Sequence, residues 1–164
     1  MTSKTRYLSV LVGLLGIVSL VAGLVFIGMA IQKNNYVADT LAAQKVTLGL
    51  TQQQISQGQV VDNAQEAQVA ASTLAEHLQS IAPTYTALMA ANKSGKYDPT
   101  NANDLSYAQG LTMENSFNLA VLSFGVIQET MVTGIVLVII GIAVGATGLV
   151  LFKLSKKAPE ITKS

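Results

Sequence analysis

The chain has no cysteine. Disulfides, zinc–thiolate centres, iron–sulfur clusters and cysteine nucleophiles are thereby excluded, and the redox compartment leaves no mark in the sequence. Charge is scarce as well: 12% of the 164 residues are Asp, Glu, Lys or Arg, about half of what soluble domains carry. A net charge of +1, with no basic cluster interleaved with aromatics, speaks against a nucleic-acid partner. Histidine occurs once, at His77. A second histidine for a metal triad is missing, Thr73 occupies the position one turn back, and no Ser-His-acid set has a supporting motif. His77 therefore reads as a solvated or hydrogen-bonded helix residue, and Asp62, Glu66 and Glu76 as a solvated helix face. There is no phosphate loop and no dinucleotide fingerprint. The expectation is a protein that is not an enzyme and holds no cofactor or metal.

What the chain does have is apolar surface. Half of its residues are hydrophobic, and they gather in two blocks. The first, Tyr7–Ile31, runs 25 residues without a charge, enough to cross a hydrocarbon core that needs roughly 20. A signal peptide is the rival, and "GMA" at 28–30 offers small residues at a cleavage-like spacing. Signal h-regions run only about 7–15 residues, however, so an uncleaved helix is expected. The second block, Phe117–Phe152, has 36 residues, interrupted among strongly polar side chains only by Asn118, Gln128 and Glu129. As one helix it would reach about 54 Å, well past a core of ~30 Å. The span is therefore placed at 132–152, between Glu129 and Lys153, leaving the apolar stretch 117–127 above the membrane.

Topology follows from lysine and arginine. The N-tail (1–6) carries Lys4 and Arg6; the C-tail (153–164) carries Lys153, Lys156, Lys157 and Lys163. By the positive-inside rule both tails are cytoplasmic and the region 32–131 is extracytoplasmic. The predicted fold is an all-α membrane protein: an antiparallel two-helix transmembrane hairpin, with spans at 7–31 and 132–152, and a small helical extracytoplasmic domain. The location is a bacterial cytoplasmic membrane. "NKS" at Asn92 matches a glycosylation sequon, which matters only in a secretory cell.

Glycine is a poor helix former, yet "GIVLVIIGIAVGATGLVLF" places it at Gly134, Gly141 and Gly148, with Gly145 completing a G-x-x-x-G. Steps of three and four from Phe117 meet Ala120, Phe124, Ile127, Met131, Gly134, Val138, Gly141, Gly145, Gly148 and Phe152, all apolar or small. The first span has a matching stripe: Ser9, Val12, Gly16, Ser19, Gly23, Phe26 and Ala30. Lipid gives little hydrophobic reward for helix association, so small residues that let backbones approach carry it. Gly16, Gly23, Ala30, Gly134, Gly141, Gly145 and Gly148 are the expected packing seam, either between the two spans or toward a partner protein. Glu129 lies off the seam. It reads as a carboxylate in water at headgroup level or as an ion-pair contact to a neighbouring subunit.

In the outer region, the first helix can continue to about Lys45, and "VTLGLTQQQISQGQVV" reads as an extended connector. Asp62 with Gln65 gives a capping-box signal that opens a helix over about 62–82. Its stripe is Ala67, Ala71, Leu74, Leu78 and Ile81, and it ends at Pro83. "TYTALMAAN" suggests a short helix and "KSGKYDPTNAND" a loop. Helix resumes near Asp104 and covers about 104–131. The 62–82 helix is expected to clamp the outward parts of both membrane helices over a core of Phe117, Phe124 and Ile127. A domain of this size is marginal alone.

The stretch "AEHLQSIAPTYTALMA" (75–90), with "TRYLSVLVGLLGIVSLVAG" and "NLAVLSFGV", resembles a group of small two-span membrane proteins of actinobacteria and related bacteria. In that group an "EH-x-L" helix precedes a "TY-x-x-L" element and a second aliphatic span. Where the group has a glycine pair before "TY", this chain has Ala82-Pro83. Such proteins often bear the label of LigA-type aromatic ring-opening dioxygenase. A non-haem iron oxygenase wants two histidines and a carboxylate, and this chain has one histidine. The resemblance implies the two-span architecture and no residue roles. Two functions remain open at this stage. One is an accessory or structural subunit of a bacterial membrane complex, meeting the bilayer and other membrane subunits or itself. The other is an extracytoplasmic sensor or ligand-binding module acting through a partner.

Overall fold

The computed structural model describes residues 3–92 and 94–157, with side chains from Arg6 to Lys156 apart from Lys93. The chain is all-α: α1 (Ser3–Ala43), α2 (Gln52–Ser56), α3 (Ala64–Ile81), α4 (Tyr85–Ala91) and α5 (Ala102–Lys157). Two helices, α1 and α5, are long and apolar enough to cross a membrane. A core helix of a soluble protein passes the same length test, but it is mostly covered. Here only 11% of the most apolar stretch of either helix is buried, and residues such as Leu14, Val18, Ile139 and Leu149 are more than half exposed. The chain divides into two compact units, the described parts of 1–33 with 127–164, and 34–126.

In the first unit α1 and α5 run in opposite directions, backbone on backbone. A Cβ added at Gly16 would fall 2.6 Å from the Gly145 Cα, and one at Gly23 2.6 Å from the Gly134 carbonyl oxygen. Among the described side chains, Ser9, Gly16, Gly23 and Ala30 are the buried residues of α1 in this unit, and Gly134, Gly141, Gly148 and Ser155 those of α5. Both sets repeat every seven residues, the period that keeps one face of each helix against the other. The apolar side chains on the remaining faces point outward.

The second unit is built by capping and punctuation. The first helix stops at Ala43 because Lys45 turns into the left-handed region (φ 52°), where Gln44 and Lys45 N–H groups bond back to Leu41 and Ala42 carbonyls. The connector is not extended throughout. Thr51 and Gln54 form a reciprocal capping box that opens the five-residue helix α2, and left-handed Gly58 closes it. The Val61 N–H then bonds to the Val46 carbonyl at 2.9 Å, bringing the connector back on itself and burying Val61 completely.

The cap of α3 is Asn63, one residue later than the Asp62–Gln65 pairing predicts. The Asn63 Oδ1 accepts from the Glu66 N–H, while Glu66 Oε2 accepts from the Asp62 N–H. Glu66 is better suited than Gln65 to this exchange because an ionised carboxylate at a helix N-terminus also meets the helix dipole. The helix ends at Ala82, held extended (φ −157°) by the proline that follows. Ala67, Ala70, Ala71 and Leu74 pack with Val61, Phe117 and Ala120 as one core; Leu78, Ala82, Leu88 and Tyr107 form a second. Phe124 is also buried. Ile127 is only half-buried and falls in the other unit.

Candidate functional site

The seam residues sit as follows. Gly16, Gly23, Gly134, Gly141 and Gly148 each stand where a Cβ would meet backbone of the opposite helix at 3.0 Å or less. Gly145 differs from the others: its own Cβ would meet nothing nearer than the Gly16 Cα at 4.0 Å. Ala30 is 2% exposed. Ser19, on the same face, donates from Oγ to the Leu137 carbonyl oxygen at 2.9 Å, a bond from one helix to the other. Interhelical bonds of this kind in apolar surroundings contribute about 0.6 to 2 kcal/mol. These contacts lie within one chain, so the glycine faces are already occupied. Glu129 is exposed and off this face.

The second unit holds a groove of about 900 Å³, lined by one face of α1 from Tyr36 to Leu41, by α5 from Leu105 to Ser123, and by Gln44, Val46 and Tyr97. Its origin is legible in the heptad register. Continuing the α1 stripe Gly16–Gly23–Ala30 in sevens gives Val37 and Gln44; continuing Gly141–Gly134 on α5 gives Ile127, Ala120 and Met113. Where the positions are glycine the backbones touch. Val37, Gln44 and Met113 carry side chains, which exclude such an approach and leave an opening floored by Leu41, Phe117 and Ala120.

None of the described residues lining the groove is charged. Besides Tyr36, Tyr97, Gln44 and Gln109, its polar side chains are four aliphatic hydroxyls that are committed elsewhere. Thr40 donates to the Tyr36 carbonyl at 2.7 Å, Thr112 to Ala108 at 2.9 Å, Ser116 to Thr112 at 2.9 Å and Ser123 to Leu119 at 2.8 Å. Each bond satisfies a carbonyl of its own helix, so these side chains offer the groove lone pairs and methyl or methylene surface but no free proton.

No protein-family model, curated protein or solved structure matches the chain. The groove is read on its chemistry alone.

The loop beside the groove is fixed by Asp104. This residue is fully buried in the first turn of α5. Its Oδ2 accepts from Asn92 Nδ2 at 2.5 Å and from the Asp98 N–H at 2.8 Å, and Asn101 Nδ2 donates to Asn92 Oδ1 at 3.2 Å. Its Oδ1 is buried with no hydrogen-bond partner. Tyr97, next to the bonded Asp98 amide, is thereby held against the groove. Asp98 itself accepts from the hydroxyl and the backbone N–H of Thr100, and these bonds, the hydroxyl first, hold its carboxyl below the ordinary aspartate value of 3.8.

Sequence reasoning did not find this groove or the Asp104 clip. The signal for the first was the change from glycine to larger residues in one heptad series; the second depends on a twelve-residue loop closure (Asn92 to Asp104) that no local pattern announces. Among the described residues, no three His, Asp or Glu side chains come together as a metal site. His77 lies exposed on α3.

Proposed function

We propose that this chain is a two-span membrane protein without catalytic activity, serving as an accessory subunit of a bacterial membrane complex. In this reading α1 and α5 form a transmembrane hairpin with both tails in the cytoplasm, and 34–126 is the extracytoplasmic unit. The observation that carries it is the pairing of exposed apolar helix surface with a glycine seam spent inside the chain. The outward faces of the helices are free to meet lipid and neighbours, while the hairpin supplies its own rigidity. In the outer unit Leu119, Leu122 and Val126 form an exposed ridge on α5, more than half uncovered. Exposed apolar patches of this kind mark interaction surfaces. Glu129, one turn farther along, would add an ionic contact to a partner.

Extraction from the source membrane in mild detergent, followed by native electrophoresis and mass spectrometry, tests this. Co-migration with other membrane proteins in fixed ratio is expected. Migration as a lone monomer or homo-oligomer would overturn the subunit reading. The groove favours a second reading, a ligand-binding module that acts through a partner, since its volume lies within the roughly 300–1,000 Å³ of typical ligand sites.

A further inference from the structure

We propose that the groove of the outer unit holds an acyl chain of a membrane phospholipid. The inference rests on the reading of α1 and α5 as spans. Three observations converge on an uncharged, elongated and mainly apolar occupant drawn from the bilayer.

The first is chemical. None of the described lining residues is charged, and the four aliphatic hydroxyls on its walls donate to carbonyls of their own helices. A peptide or a polar metabolite brings N–H and C=O groups that cost free energy when buried without partners. The four aliphatic hydroxyls are committed, which leaves the carboxamides of Gln44 and Gln109 and the phenols of Tyr36 and Tyr97 as the other polar groups on a lining that is otherwise hydrocarbon. A hydrocarbon chain asks for no such partner.

The second is dimensional. From Ser123 to Leu105 the groove wall on α5 extends about 27 Å at 1.5 Å per residue. A hydrocarbon core of ~30 Å is two leaflets thick, so one chain reaches about 15 Å. A groove of about 900 Å³ can take such a chain along its length.

The third is continuity. Both walls are parts of helices whose apolar stretches pass the length and composition test for a span. Tyr36 lines the groove where α1 enters the outer unit, and tyrosine is favoured where an apolar body and a polar tip meet at a membrane surface. The residues that would hold the chain are Leu41, Leu105, Met113, Phe117 and Leu119, with Tyr97 beside the end farther along α5 toward its start. The clip made by Asp104 keeps that tyrosine in place.

The test uses the full chain reconstituted in vesicles of phosphatidylethanolamine and phosphatidylglycerol that contain a phospholipid with a diazirine at the end of one acyl chain. After irradiation, the labelled peptides are mapped. The expected result is label within 36–44 and 105–123 in addition to the spans. Thr112→Trp, at an exposed wall position, fills the groove without disturbing either core, and lowers the outer label about tenfold, equivalent to about 1.4 kcal/mol of affinity. Asn118→Trp, at an exposed position of α5 outside the groove lining, leaves it unchanged.

Label confined to the spans would overturn the acyl-chain assignment while leaving the membrane reading intact. No label anywhere would overturn both. Outer label that persists in Thr112→Trp would place the contact elsewhere than the groove. A photo-crosslinking residue at Ser116 in the native membrane adds a further arm, in which a protein adduct instead of a lipid adduct would overturn the proposal.

Discussion

At the residue scale, the two members of the G-x-x-x-G pair are not equivalent. A methyl at Gly141 would meet the Leu20 backbone nitrogen at 2.6 Å and the Gly16 carbonyl at 2.8 Å, whereas one at Gly145 would meet only the Gly16 Cα at 4.0 Å. Backbone atoms of a helix do not yield as the tip of a side chain does. Gly141→Ala should therefore destabilise the hairpin by about 1–3 kcal/mol, the range of overpacked contacts. Gly145→Ala should be tolerated, and Gly28→Ala, which meets nothing within 4 Å, should be neutral or stabilising by up to about 1 kcal/mol. Thermal unfolding of the three variants in mild detergent decides it; equal losses at 141 and 145 would refute the register. A second residue-scale prediction concerns Asp98. Its carboxyl lies below 3.8 because Thr100 bonds to the charged form. The interaction therefore supports the loop above the unfolded-state value and fades as pH falls through the lower, folded one. Removing the hydroxyl in Thr100→Val should move the Asp98 pKa upward by carboxyl NMR titration, while the remaining backbone bond keeps it from full return.

At the element scale, boundaries set by local chemistry were legible, and those set by tertiary closure were not. The end of α3 at Ile81, before Pro83, and the short helix after Thr84 follow from proline and a capping hydroxyl, whereas α5 starts at Ala102, two residues before the expected Asp104. The cap of α3 is the instructive miss. Asp62 and Asn63 are both good caps with an acidic or amide residue three positions on, and it is Asn63 that takes the Glu66 N–H while the Glu66 carboxylate takes the Asp62 N–H. Asn63→Ala should cost about 1 kcal/mol in the outer unit, seen as a lower unfolding midpoint, whereas Asp62→Ala should cost less. A larger loss at Asp62 would restore the earlier boundary. The helix α2 was signalled by Thr51 and Gln54 but masked by the glutamine and glycine content around them. The seven-residue stripes were visible in the sequence; which surface they face was not, because glycine at a contact is the same letter whether the neighbour belongs to the same chain or another. The groove was hidden for a related reason, since it arises where two stripes far apart in sequence change from small to large residues together.

At the scale of the whole molecule, charge and exposed apolar area make separate arguments about one topology. By the positive-inside rule the lysines and arginine of the tails speak for the proposed cytoplasmic ends, and the apolar faces of α1 and α5 are left exposed by the described residues. The absence of cysteine makes the arrangement directly measurable, because any thiol introduced is the only one. Gln57 is exposed in the outer unit and Lys153 is exposed near the end of α5. In intact cells, Gln57→Cys should react with a membrane-impermeant maleimide and Lys153→Cys should not, until the membrane is opened. Neither position is buried, so a lack of reaction reports the barrier and not the fold. Reaction at both would mean that α5 fails to cross. Reaction at Lys153→Cys alone would mean an inverted hairpin, with the groove facing the cytoplasm and its lipid drawn from the inner leaflet.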